Sequence, residues 1–234
     1  MVKKLDKWCD TDWILFLCVT GVVTSVLAAI YWDVMSLGMK GGVFAAIIMP
    51  FHVLEEWKFP GGLHYFYNVI LGSKSKVREL GRYPMSRLTD MITNVGLQWI
   101  PLVYLALCLF TDLSNATALC MMLLCFIEVL AHTGAGILTY FMLRKDGKKT
   151  IYHPGFATSW MLFLPAGVYL VTRLENITGN DWFWCGILFV IMMLICIPLT
   201  ETPLKKWVIK QDKGMFAFVD AKYYKKYPNF GKKK

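Results

Sequence analysis

Gly42-Val43-Phe44-Ala45-Ala46-Ile47-Ile48-Met49 runs without a break into Pro50-Phe51-His52-Val53-Leu54-Glu55-Glu56-Trp57, and the chain then turns at Phe59-Pro60-Gly61-Gly62. An apolar run of this kind belongs in a bilayer or a buried core. A histidine and two glutamates on its last turns are costly there unless they are paired or do work. On a helix His52 lies three residues before Glu55 and four before Glu56, so both acids can flank one face of the imidazole. The Pro-Gly-Gly turn ends that helix. A short second helix, 64–71, would then carry His64 and Asn68, again four residues apart.

Working outward, the whole chain has the same character. Its 234 residues are 56% hydrophobic and 18% charged, with a mean hydropathy of +0.48. A soluble domain of this length could not bury so much apolar surface, so the expected class is all-α, a polytopic transmembrane helical bundle. Six stretches are long enough to span: 13–31, 38–56, 89–110, 116–143, 156–172 and 182–200. Residues 64–71, after the second, are expected to lie in the interface. Residues 1–203 form the transmembrane domain, and 204–234 a basic, aromatic tail.

The net charge of +9 is a matter of sidedness and implies no nucleic-acid partner. Of the 25 lysines and arginines, only Lys40 and Arg173 fall on one side of the drawn topology. The others lie at the amino terminus (Lys3, Lys4, Lys7), by the second span (Lys58, Lys74, Lys76, Arg78, Arg82, Arg87), after the fourth, and in the tail. By the positive-inside rule both termini are cytoplasmic and the protein is integral to the cytoplasmic (inner) membrane. The tail's tryptophan, phenylalanines and tyrosines among lysines suit either an anionic membrane surface, with lipids as partners, or a plain frayed flank. Lys3, Lys4 and Lys7 precede a run long enough to remain as a helix, so no cleaved leader is expected. The seven cysteines form no CxxC pair and read as small buried hydrophobes.

This topology gathers the polar residues at one depth. His52, Glu55 and Glu56 end the second span. Asp90, Asn94 and Gln98 recur every fourth residue along the third, and Glu128 and His132 sit four apart on the fourth. Tyr152-His153-Pro154-Gly155 leads into the fifth, where Thr158 follows. Imidazole with carboxylate is a ligand set for zinc first, and also for iron or manganese. Helical spacings of three or four can aim two such groups at one ion. The expected ligands are His52, Glu55 and His132, with Glu56 or Glu128 as general base or further ligand. Asp90, Asn94 and Tyr152 would support them, Asp90 and Asn94 by orienting a ligand histidine, although Asp90 could equally cap its helix. His64 and Asn68 would close the site from the interface. His153, in a loop before proline, is expected to be solvated.

His52-Val53-Leu54-Glu55-Glu56, the later His132, and the element Tyr152, Pro154, Gly155, Thr158 resemble the prokaryotic membrane proteins named for an HXXEE motif. Trp57, Phe59 to Gly62 and Asn68 also resemble the segment that follows the motif in some members. The resemblance spans His52 to Thr158 and implies a motif-bearing membrane protein without naming a reaction. It departs at position 153, where this chain has histidine. A looser analogy is to CAAX-type intramembrane metalloproteases, through the Glu-Glu pair and the His64–Asn68 spacing. Pro60 stands where those proteins carry arginine.

The expected function is a membrane-embedded, metal-dependent hydrolase or transferase acting on a lipid or other amphiphilic substrate. The competing classes are a proton- or cation-coupled transporter using the same cluster, and a membrane subunit whose polar core is structural.

Overall fold

The structure, a computed structural model, describes residues 1–10, 12–72 and 79–232. Lys74, Lys76, Arg78, Lys233 and Lys234, which enter the charge count above, lie outside the described residues. Among the described residues the chain is helical, with no strand. A short α1 (Val2–Trp8) is followed by α2 (Asp12–Tyr31) and α3 (Leu37–Trp57). Next come α4 (Leu63–Gly72), α5 (Arg87–Leu107) and α6 (Ser114–Leu143), then α7 (Phe156–Val171) and α8 (Gly179–Val208).

Four of these helices, α2, α3, α6 and α8, are long and apolar enough to cross a membrane. The expected spans at 89–110 and 156–172 correspond to α5 and α7, which are not among the four. α7 is apolar but shorter. α5 has 21 residues but devotes one face to Asp90, Asn94 and Gln98, all buried, which lowers its apolarity. The outward faces are oily: on α2, Leu15, Val22, Val26 and Ile30 are exposed, and on α8, Val190, Leu194 and Leu199. Such a surface is at home against acyl chains rather than water.

α3 is the central helix and packs against α2, α5 and α6. Small residues let its neighbours approach closely. A Cβ on Gly42 would come within 2.7 Å of the Pro101 carbonyl, and one on Gly41 within 2.9 Å of Met121 Cβ. Gln98 of α5 ties the layer together, its amide donating to the Leu17 carbonyl of α2 at 2.9 Å and to Ala46 of α3 at 2.8 Å. α3 ends where Gly61 and Gly62 take positive φ, +72° and +110°, and donate back to the carbonyls of Glu55 and Glu56, both at 2.9 Å. A side chain on Gly61 would run into the Trp57 carbonyl, so glycine is required there.

One end of the bundle is closed by segments distant in sequence. Arg87 bridges α5 to α1 through Asp6 (2.7 Å) and Asp10 (2.5 Å), and Arg82 donates to the Asp212 carbonyl at 3.0 Å. Both arginines, counted above as inner-surface charges, are buried cross-links. The described part of the tail folds under this end. Phe216, Tyr224, Tyr227 and Phe230 are buried, the last three against Phe66 and Leu143. Phe218 stacks on His64 with ring centres 3.7 Å apart, and meets the Trp57 ring at 4.8 Å.

Candidate metal centre

The last turns of α3 and the middle of α6 face each other just above the α4–tail floor. His52 and Glu56 are one turn apart on α3, and Glu128 and His132 one turn apart on α6, so each helix offers an imidazole and a carboxylate. The four groups alternate. His52 Nε2 lies 3.1 Å from Glu56 Oε1 and 3.6 Å from Glu128 Oε2. His132 Nε2 lies 3.2 Å from Glu56 Oε1 and 3.5 Å from Glu128 Oε2. The two rings are perpendicular, with centres 4.8 Å apart. His52, Glu56 and His132 are buried and offer ligand atoms all within 4.8 Å of one another. Glu128 is the more open group, its side chain 18% exposed against 5% for Glu56.

The outer nitrogens fix how the inner ones can act. His132 Nδ1 lies 3.0 Å from the Pro154 carbonyl, which can only accept, so Nδ1 carries the proton. His52 Nδ1 lies 2.8 Å from Thr158 Oγ1, whose own proton goes to Glu55 Oε2 at 2.6 Å, so this Nδ1 also donates. In each ring Nε2 is therefore the atom left to face the two carboxylates: it donates to them when protonated, and when deprotonated it can offer its lone pair to a cation held between them. Outer partners of this kind set tautomer and ring orientation in metal-binding histidines. The imidazole–carboxylate edges also have a suitable length, although the ligand atoms as a group spread to 4.8 Å: tetrahedral zinc with bonds of about 2.0–2.1 Å has ligand–ligand edges of about 3.3–3.4 Å. The four N···O separations, 3.1 to 3.6 Å, bracket that figure. Gly155 completes the fit. Its φ is +89°, and a Cβ there would overlap the His132 ring.

Glu55 is not in this cluster. It points away from Glu56 and accepts four hydrogen bonds at the start of α7. These come from the backbone N–H of Ala157 (3.1 Å) and Thr158 (2.8 Å), from Thr158 Oγ1, and from Tyr152 Oη (2.9 Å). A carboxylate at a helix N-terminus satisfies orphan N–H groups and suits the helix dipole. Its expected role as a ligand is therefore corrected: Glu55 anchors α7 and steadies His52 through Thr158. Tyr152 supports Glu55 rather than a histidine.

Other expected members of the site also differ. Asp90 accepts from Trp57 Nε1, and Asn94 Nδ2 donates to its Oδ1 at 3.0 Å. Neither residue orients a ligand histidine, though both line the same cavity. Ser86, not Asp90, caps α5, in a reciprocal pair with Thr89. His64 turns away, its Nε2 2.9 Å from the Asp220 carbonyl, and burial lowers its pKa to about 4. Asn68 bonds to the Leu80 and Met85 carbonyls and to the Met85 N–H, bracing the segment before α5. The analogy built on the His64–Asn68 pair thus has no counterpart in the site. His153 is fully buried rather than solvated, and burial, with His132 beside it, lowers its pKa to about 3.

The cluster opens on a cavity of about 240 Å³. Its polar wall is His52, Glu56, Glu128, His132, Asp90 and His153, and its rim is apolar, with Leu63, Leu97, Ala135 and the exposed Ala131. Thr93, Trp57, Gly155 and Tyr224 also shape the site and were not among its expected residues. For Gly155 a signal was present, since Pro-Gly before a helix marks a tight turn. Trp57 and Tyr224 carried none, because their roles depend on partners far away in sequence.

No curated protein and no solved structure matches the chain. The protein-family comparison returns one description, "Protein of unknown function with HXXEE motif", over residues 43–170, a stretch that holds every residue of the cluster. The chain belongs to this HXXEE family, whose function is unknown.

Proposed function

We propose that the chain is a metal-dependent membrane enzyme, a hydrolase or related transferase acting on a lipid or another amphiphile. In this reading six helices span, α5 and α7 included, both termini are cytoplasmic, and the site lies in the cytoplasmic half of a prokaryotic inner membrane. The observation that carries the reading is the pair of imidazoles, each held in place through Nδ1, whose Nε2 atoms converge on two carboxylates. His52, His132 and Glu56 would hold the ion, and zinc suits a compact His/carboxylate set best, with iron or manganese as alternatives. A bound metal would supply Lewis acidity, polarising a substrate oxygen and making water a better nucleophile at neutral pH.

The protein groups would do the remaining work. Glu128 reaches both imidazole nitrogens yet is the most open of the four, which suits a group that takes a proton from water and returns it to the leaving group. Glu55 and Thr158 hold the His52 ring in place, and the Pro154 carbonyl holds His132. The apolar rim around Ala131 suits a substrate that keeps its chain in lipid while its polar end reaches the glutamates.

Elemental analysis tests the reading on protein purified in detergent without chelators. The expected result is about one transition-metal ion per chain, lost in His52→Ala, His132→Ala and Glu56→Gln and kept in Glu128→Gln. Metal-free wild-type protein under these conditions would refute it.

A further inference from the structure

His153 stands apart among the cavity's polar groups. It is fully buried, its ring centre is 5.7 Å from that of His132, and its Nε2 has no hydrogen-bond partner. Its other nitrogen is engaged: Nδ1 lies 2.5 Å from the hydroxyl of Tyr224, a tail residue that is itself buried. An imidazole nitrogen is a stronger acceptor than Thr139 Oγ1, a hydroxyl that also meets Tyr224 and already donates to the carbonyls of Ala135 and Gly136. Tyr224 therefore gives its proton to Nδ1, and Nε2 carries the N–H. A second orphan lies in the same cavity. Thr93 Oγ1 on α5 has no partner, although a helical threonine ordinarily falls back on the carbonyl one turn earlier. Two unsatisfied donors in one cavity call for an acceptor, since a buried polar group left unpaired is destabilising.

We infer that His153 Nε2–H and the Thr93 hydroxyl receive the carbonyl or phosphoryl oxygen of the amphiphilic substrate, beside the His52–Glu56–His132 centre. Tyr224 is the positioning residue that holds His153 in the donating tautomer. The inference rests on the enzyme reading above and adds the groups that bind the reacting oxygen. In ester hydrolysis the water oxygen bonds to the carbonyl carbon, its proton passes to Glu128, and the π pair moves onto the carbonyl oxygen. The charge that develops there is met by donors fixed in advance. On collapse the carbon–oxygen bond to the alcohol breaks, and Glu128 returns the proton to it.

The test uses the full chain in maltoside, with and without zinc, and decylphosphonate as a charged, tetrahedral oxygen ligand on an acyl-like chain. Calorimetry gives the affinity, and side-chain ¹⁵N shifts report hydrogen bonding at His153. The wild type should show a downfield N–H proton and a perturbed Nε2 on titration. His153→Phe should weaken the phosphonate roughly ten- to a hundredfold, the strength of one buried hydrogen bond to a charged acceptor. His153→Gln, which keeps an N–H donor, should recover most of the loss, and Thr93→Val should weaken binding about tenfold. Tyr224→Phe should shift the tautomer signal toward Nδ1–H, and none of the four should lose zinc. Wild-type affinity in His153→Phe overturns the inference. So does loss of zinc in that variant, which would make His153 a ligand. If His153→Phe does not fold, the Gln and Val variants and the wild-type ¹⁵N response decide the matter. If the wild type holds no zinc, the metal reading fails separately, because the ratio between wild type and variants is still read in the metal-free chain.

Discussion

Replacing Glu55 and, separately, Glu56 by glutamine should give opposite outcomes, although the residues are adjacent and chemically identical. Glu55 accepts two hydrogen bonds on each oxygen: Thr158 N–H and Oγ1–H on Oε2, Ala157 N–H and Tyr152 O–H on Oε1. Whichever way a glutamine amide is turned, its NH₂ faces two donors and both bonds are lost. At about 1.5–3 kcal/mol for each bond to a charged acceptor, with some relief because Tyr152 is only half-buried, the loss comes to about 3 kcal/mol. For a chain of this size that is a fall of roughly 6–12 °C in Tm. Metal should stay. His52 loses only the anchoring of its Thr158 partner, so affinity should fall roughly ten- to a hundredfold, and saturating zinc should still fill the site. Glu56→Gln should do the reverse, emptying the site with a smaller change in Tm. Thermal unfolding in detergent and elemental analysis at saturating zinc read both quantities. An empty Glu55→Gln beside a filled Glu56→Gln would refute the assignment of roles made here.

Acid should loosen the tail. His64 has its pKa lowered to about 4 by burial, against Asp220, with Lys222 adding to the shift, so it stays neutral when docked and takes up a proton when released. Stability from this group is complete above pH 6.5 and lost as pH falls toward 4, about 1.4 kcal/mol per unit and about 3 kcal/mol in all. His153, lowered to about 3 by burial, acts with the same sign, so His64→Gln should remove about half of the slope. Hydrogen exchange of residues 214–224 between pH 7.5 and 4.5 measures it, and a flat profile in the wild type would refute the account. Gly155→Ala should abolish zinc binding, because its Cβ would occupy the His132 ring position and its φ of +89° disfavours a side chain. Normal zinc affinity in that variant, by competition with a chromogenic chelator, would show that the loop yields more than this geometry allows.

Much of the site could be read from helical spacing alone. His52 with Glu56 and Glu128 with His132 are turn-apart pairs, and Asp90, Asn94 and Gln98 form a buried stripe as their period of four implies. What could not be read depends on tertiary contacts. Glu55 was expected as a ligand because spacing of three is as good as four on paper. Its neighbour across the interface, the N-terminus of α7, comes from a hundred residues away and leaves no local trace. His153 was expected near water because loops are usually wet, and His64 was expected to close the site because an interfacial helix lies beside it. The tail that covers both carries enough lysine to suggest a solvated flank, and its burial follows from aromatic packing that no periodicity marks. Of the six spans drawn from the sequence, four correspond to helices long and apolar enough to cross a membrane, and the polar face of α5 keeps that helix out of the set.

The two neighbouring glutamates of α3 carry one further consequence. Successive residues on a helix point about 100° apart, so Glu55 and Glu56 necessarily serve different walls. The doubled acid is thus two single-purpose residues that share a backbone. Deleting one residue between Gly42 and Phe51 would move each later residue back one place, putting Glu56 where Glu55 stood, at the N-terminus of α7, and Glu55 where Leu54 stood, with no α3 carboxylate left facing the histidine of α6. Such a deletion should leave a folded, membrane-inserted chain with its chemistry scrambled, and a compensating insertion one turn earlier should restore it.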